Sequence, residues 1–252
     1  MRPTAVYASR FLVLVAIAAV WELGSRTGLL DPMTWSRPSL FIPQFFDLFG
    51  LTEVRVDLRS TLINIGLGFG IGALCGGFIG FLLTALPSMT RNVFLGYLAS
   101  VQAVPLLIFY PLLLTIFGLT RAPIVLIVSV VVTVPVAMSV ANGLLSVPVS
   151  LDRLAKSLQM SRAAAFRKVH FPAAVPHIFP GVRLGLLAAV VSTIGMEFIV
   201  SATGLGYSVA HTYHAFAVDQ MYALILLICV LAVLIDVGLT KMEKELRRDR
   251  VA

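Results

Sequence analysis

Charge is what this chain has least of. Asp, Glu, Lys and Arg make up 12% of 252 residues, while 59% are hydrophobic, and the mean hydropathy is +0.97. Soluble domains carry about 25% charged residues, so this scarcity excludes an ordinary water-soluble fold and predicts a polytopic membrane protein. Cysteine is nearly absent too. Cys75 and Cys229 both fall inside apolar runs, which argues against a disulfide or metal pair and reads as small packing residues. No G-x-x-x-x-G-K-[ST] loop occurs anywhere, so the chain cannot cradle ATP by that means. No Ser/His/Asp or Cys/His arrangement suggests catalysis, and there is no solenoid repeat, low-complexity run or long linker. The net charge of +7 would suggest nucleic acid in a soluble protein; here it is read as the cytoplasmic bias of membrane proteins, with no nucleic-acid partner.

What is present is apolar length. A hydrocarbon core about 30 Å thick needs roughly 20 apolar residues per helical span. Six spans are predicted, at 11–25, 61–86, 92–119, 123–145, 178–200 and 222–241, giving an all-α membrane bundle in which 1–252 is one domain. The first run could pass for a signal peptide, but it is read as an uncleaved helix. The stretch 39–58 is too broken and charged to cross and is expected to lie in the outer interface. With the N-terminus inside, thirteen cations fall on the cytoplasmic side: Arg2, Arg10, Arg91, Arg153, Lys156, Arg162, Arg167, Lys168, Lys241, Lys244, Arg247, Arg248 and Arg250. Five fall outside, Arg26, Arg37, Arg55, Arg59 and Arg121, and Arg183 lies within a span. That excess places both termini in the cytoplasm.

Two spans carry packing signals. Gly68, Gly72, Gly76 and Gly80 recur every four residues, a bare ridge that lets another helix approach closely, with Gly66 and Gly70 widening it. Pro105 and Pro111 each delete a backbone hydrogen bond in the third span and should kink it. Kinked helix and glycine ridge together suit either a transport pathway or irregular packing. Polar groups that could line such a pathway are Gln102, Tyr110, Ser192, Thr193 and Glu197. Gln102 and Tyr110 could instead satisfy carbonyls freed by the prolines, and Glu197 could instead make an interhelical hydrogen bond. Arg183 and Asp236 are expected to form a structural ion pair. Glu22 lies near the outer end of the first span, where water reaches it. His211 and His214, at i, i+3 in an outer loop, lack an evident third ligand and read as a polar face.

Between two of the most apolar stretches lies a basic run, Arg153 to Pro176. Ser150 is a good N-cap and Asp152 suits a first turn. Leu151, Leu154, Ala155 and Leu158 fall at i, i+3, i+4, i+7, one apolar edge of a short helix. Gln159 and Met160 form a junction, and Ser161 caps a second helix through Ala163–Ala165 and Phe166 that ends before Pro172. Helices this short are marginal alone, so the edge needs the bundle or a partner's groove.

At these residues the chain resembles the type I ABC-importer permeases. The short helix, the turn before Ser161-Arg162, "FRKVHFPAAVP", "GVRLGL", Glu197 and "TGLGY" follow that family's order over about 61–245. With "VPLLIFYPLLL" it is most similar to the subfamily importing sulfonates, taurine, nitrate and related small molecules. The resemblance implies that 148–176 is a cytoplasmic coupling loop seated on a separate ATPase. Its contact residues would be Leu151, Leu154, Ala155, Leu158, Gln159, Ser161, Arg162, Phe166 and Pro172. It further implies two ATPase subunits holding ATP and Mg, a second permease copy and an extracytoplasmic binding protein, with no cofactor in this chain and no enzymatic activity of its own. The sequence departs from the family pattern twice: Arg153-Leu154-Ala155 stands for Glu-Ala-Ala, which implies a compensating acid on the partner, and Gln159 stands for a glycine that suits a tight turn. Two other classes fit the composition: an ion-coupled carrier using Glu197 and Asp236 as relays, and a non-transporting scaffold.

Overall fold

The computed structural model describes residues 3–31 and 33–248, leaving aside the side chains of 3–11, 14 and 246–248. Arg2 and Arg250 of the charge count lie outside the described residues, as do the side chains of Arg10, Arg247 and Arg248. Among the described residues all regular structure is helical: α1 (Pro3–Arg26), α2 (Pro38–Asp47), α3 (Thr52–Thr84), α4 (Ser88–Gln102), α5 (Tyr110–Phe117), α6 (Ala122–Leu145), α7 (Val149–Ser157), α8 (Arg162–Ala165), α9 (Phe171–Val200), α10 (Leu205–His214) and α11 (Val218–Arg248). Among the described residues, four helical runs are long and apolar enough to cross a membrane: α3, α6, the continuous run Arg162–Val200, and α11. A fifth arises if α4 and the segment through α5 count as one span bent by 73°. The first expected span falls in α1, 24 residues long, so six spans resolve into four or five that meet this test plus α1.

Three sequence expectations change here. The charged stretch before residue 61 is helical from Thr52, so the second span is part of a 33-residue helix. The third span breaks once rather than twice. A turn containing Pro105 separates α4 from a 3-10 segment, whereas Pro111 sits in the first turn of α5, where its missing N–H costs no hydrogen bond. The fifth span does not start after a helix ending before Pro172. A π-helical turn, Phe166–His170, joins α8 to α9, and the 39 residues from Arg162 to Val200 run on as one helix. The extra residue in that turn shifts the hydrogen-bond register, and Pro172 falls in the first turn of α9. At 1.5 Å per residue the run is about 58 Å long, nearly twice the hydrocarbon thickness, so its first turns project beyond the bilayer.

The core sits around α6, whose Val128, Val132, Ala137 and Ala141 have no exposure. α3 packs on one side of it and α9 on the other. The α3 contact is the glycine ridge. A Cβ on Gly68 would lie 2.5 Å from a Val128 methyl, and Cβ atoms on Gly72, Gly76 and Gly80 would lie 2.5 Å from the carbonyl oxygens of Ser129, Thr133 and Ala137. Hence the ridge is filled within the subunit and is not free to pair two copies. Gly66 and Gly70 do not widen it: both face away, with nothing within 4 Å of a Cβ. Cys75 and Cys229 are free and exposed on the bundle surface, not packed inside. A second cluster, Phe41, Leu48, Val54, Leu205, Val209 and Leu224, ties α2 and α10 to α11. Trp21 lies beside it, edge-on to Trp35 and Tyr222 and tilted against Phe41, at 5.4–6.0 Å.

Candidate functional site

The projecting end of the bundle is built from α7, α8 and the π turn. α7 begins at Val149 with Pro148 at its N-cap, so Ser150 lies inside the helix rather than capping it. A proline there presets the entry, and Asp152 occupies the first turn as expected. The Asp152 carboxylate accepts from Lys156 at 2.7 Å and lies 3.7 Å from His170 Nε2, linking α7 to the π turn. The hydrogen bond from Lys156 holds the Asp152 carboxyl below its ordinary pKa.

The helix ends in a Schellman arrangement. Met160 N–H donates to Ala155 O at 3.1 Å and Gln159 N–H to Lys156 O at 3.0 Å, which requires a left-handed residue between them. Gln159 supplies it, with φ of 51°. The side chain therefore stands where glycine is favoured, and the tight turn forms regardless. Ser161 then caps α8, its Oγ accepting from Ala164 N–H at 3.3 Å, as the sequence led us to expect.

The apolar edge of α7 divides between two fates. Ala155 is buried against its own subunit and Leu151 is partly covered, whereas Leu154 and Leu158 are 50% and 64% exposed. Phe166 is half-buried, edge-on to Phe81 of α3 at 5.6 Å and tilted against Phe171 at 6.0 Å. Pro172 is inside the continuous helix. Of the nine expected contact residues, Ala155 and Phe166 thus anchor the arm to its bundle; Leu154, Leu158, Gln159, Ser161 and Arg162 remain outward.

A second feature is a cleft of about 490 Å³ between the α4–α5 break, α6 and α9. Gln102, Pro105, Val134, Pro135, Val191 and Ser192 are among its lining residues. Among the described lining residues only Gln102 and Ser192 carry hydrogen-bonding side chains, and none is charged. The other three expected pathway residues are elsewhere. Tyr110 is buried and donates its hydroxyl to Val200 O at 2.9 Å. Thr193 is fully enclosed.

Glu197 has no exposure, and of its two open readings the interhelical hydrogen bond is the one observed. Its carboxylate accepts from Thr61 Oγ1 at 2.7 Å, Asn64 Nδ2 at 2.9 Å and Gly206 N–H at 3.3 Å. Thr61 Oγ1 accepts in turn from Leu205 N–H at 2.8 Å, and Asp57 Oδ1 from Gly204 N–H at 2.8 Å. Asp57 also accepts from Ser208 Oγ. Three consecutive N–H groups opening α10 are thereby satisfied by side chains of α3 and α9, two of them carboxylates placed where the helix dipole favours them. Gly204 is required at the corner: its φ is +116°, and a Cβ there would fall inside the Glu197 carboxylate. The sequence exposed Glu197 and "TGLGY" but not their partners Asp57, Thr61 and Asn64, over 130 residues earlier; nothing local marks that pairing.

Arg183 and Asp236 form the expected pair, with Nη2 and Nε at 2.6 and 3.0 Å from Oδ1, and Glu243 lies 3.6 Å from Nη1. Glu22 is held by Arg26 and by Ser39 N–H and Oγ. His211 and His214 are on α10 rather than in a loop. No group of three His, Cys, Asp or Glu converges on a metal position among the described residues.

Comparison with known proteins places this geometry. Residues 68–248 match the family described as binding-protein-dependent transport system inner membrane component. The taurine transport system permease protein TauC of Escherichia coli is 27% identical over 92% of this chain and 86% of its own length. The putative aliphatic sulfonates transport permease protein SsuC of Bacillus subtilis is 26% identical over 95% and 86%. The nitrate import permease protein NrtB of a Synechocystis species is 20% identical over 89% and 84%. Among solved structures, an inward-facing MetNI methionine ABC transporter superposes with a TM-score of 0.61 at 20% identity, covering 75% of this chain and 93% of that one. An amino acid ABC transporter gives 0.57 at 21% identity, over 82% and 96%. The family match spans most of the chain, and the chain belongs to the binding-protein-dependent inner-membrane transport components, as the permease subunit of an ABC importer.

Proposed function

We propose that this permease moves a small sulfonate-, taurine- or nitrate-like solute inward, delivered by an extracytoplasmic binding protein and powered by two ATPase subunits that hold ATP and Mg. Two copies of the chain form the pathway, each contributing its cleft with Gln102 and Ser192. Both termini and the 148–176 loop face the cytoplasm, the whole chain serving as one transmembrane domain. ATP and delivered substrate must favour different states of the bundle, since a ligand that binds both equally shifts nothing. The similarity to taurine, sulfonate and nitrate permeases supports the substrate class.

The observation that carries the coupling is the exposed Leu154–Leu158 edge on α7, which a short turn joins to the continuous helix Arg162–Val200 that enters the core. Force applied at α7 passes to α9 through the short Gln159–Ser161 turn, which is closed by its own hydrogen bonds. An ion-coupled carrier has less support, because Asp236 is paired with Arg183 and Glu197 is enclosed by donors. The test is Leu154→Asp with Leu158→Asp, which leaves the buried Ala155 untouched. The doubly substituted chain is expected to insert normally yet lose co-purifying ATPase and substrate uptake. Undiminished co-purification and uptake would refute docking at this edge.

A further inference from the structure

α3 is longer than its membrane needs. Apart from Val56, its exposed large apolar residues are Leu62, Leu67, Ile71, Leu74, Phe78, Phe81 and Leu82, a run that begins at Leu62. From there to Thr84 the helix is about 34 Å long, close to the hydrocarbon thickness of about 30 Å. The preceding turns, from Thr52, therefore stand at headgroup level. On them Arg55 and Arg59 are both exposed, one helical turn apart. Neither forms an ion pair with a described carboxylate; Arg55 Nη2 reaches Thr52 Oγ1 at 3.3 Å. The acids of the same turns point elsewhere: Glu53 and Asp57 line a different recess, with Tyr207 and His211.

Below the guanidiniums the surface changes character. Arg55, Arg59, Leu58, Leu62 and Ile63 surround a shallow recess of about 370 Å³. Continuing down the same face at helical spacing come Gly66 and Gly70, each with open space where a side chain would be. The result is a cationic head above an apolar floor that narrows into a shallow open furrow. That polarity matches an amphiphile with a negative head and a hydrocarbon tail. An arginine pair suits phosphate oxygens, being weakly hydrated and able to donate in parallel, and stems of such residues lie readily along apolar surface while the charge stays at the interface.

We propose that Arg55 and Arg59 hold the phosphate of an anionic phospholipid, with one acyl chain lying over Leu62 and along the Gly66–Gly70 furrow. The site lies on the bundle surface, apart from the cleft and the α7 arm. Its test is native mass spectrometry of the purified full-length permease offered phosphatidylglycerol or phosphatidylcholine. Wild type is expected to retain phosphatidylglycerol at least about fivefold better than phosphatidylcholine. Arg55→Gln with Arg59→Gln should abolish that preference with an unchanged unfolding midpoint. Gly66→Leu, whose Cβ would meet nothing within 4 Å, should weaken retention by filling the furrow while keeping the charges. Equal retention of both lipids, or a preference that survives in the double variant, would overturn the site. Displacement of the lipid by millimolar inorganic phosphate would show a free-anion site instead. Loss of chain pairing or of binding-protein capture, with lipid retention intact, would assign the arginines to a protein interface and overturn it likewise.

Discussion

Replacing Gly72 by Ala tests the central packing of the bundle. The added Cβ would sit 2.5 Å from Ser129 O and 2.6 Å from Val132 Cβ. Ordinary contact begins at 3.4 Å, so α3 and α6 would have to part by about 0.9 Å. One neighbour is a backbone carbonyl within a helix, and Val132 is itself fully buried, so neither can swing aside. Overpacking of this kind costs about 1–3 kcal/mol. Alanine returns about 1 kcal/mol of helix propensity, which leaves a net loss of up to about 2 kcal/mol. Gly66→Ala supplies the control, because it adds the same methyl to the same helix where nothing lies within 4 Å. It should be neutral or stabilising by about 1 kcal/mol. Thermal unfolding of both variants in one detergent should therefore separate them by several degrees, at about 2–4 °C per kcal/mol for a chain of this size. Equal midpoints, or a higher one for Gly72→Ala, would refute the claim that backbone contact at the ridge sets the α3–α6 distance.

Other expectations follow from single positions. Gln159→Gly should stabilise the α7 turn by about 1 kcal/mol, because a left-handed residue with a Cβ bears that cost; slower hydrogen exchange at Met160 N–H is the readout, and faster exchange would contradict it. Glu197→Ala should cost about 3 kcal/mol or more, since it strands the donors of Thr61, Asn64 and Gly206 together, whereas Glu197→Gln should retain part of the cluster and fall between; uptake and unfolding midpoint would be followed together. Gly204→Ala should be at least as damaging as Glu197→Gln, its φ and its lack of space both opposing a side chain; normal expression and uptake would exclude the corner described here.

Periodicity carried far in this chain because membrane helices satisfy their own backbone, so composition and spacing report directly on spans and on close approach. The four glycines named the face of α3 that meets a neighbour, and Ser161 named its own cap. The resemblance pointed to a glycine position where Gln159 indeed adopts a left-handed φ. Local chemistry also sufficed for Arg183 and Asp236, two opposite charges within otherwise apolar spans. Other features are relations between distant segments, which no local signal encodes. Which helix fills the glycine ridge, which donors surround Glu197, and which part of the α7 edge stays exposed were decided by packing in three dimensions. The fate of Pro172 was decided the same way: read alone it ends a helix, but one additional residue in the preceding π turn lets α8 and α9 continue as a single arm. The sequence by itself determined that apolar helices would cross a membrane and that one basic, amphipathic loop would stand outside it. Only the tertiary structure decided which residues that loop shows to a partner, because burial is a property of the assembled neighbours and not of the residue.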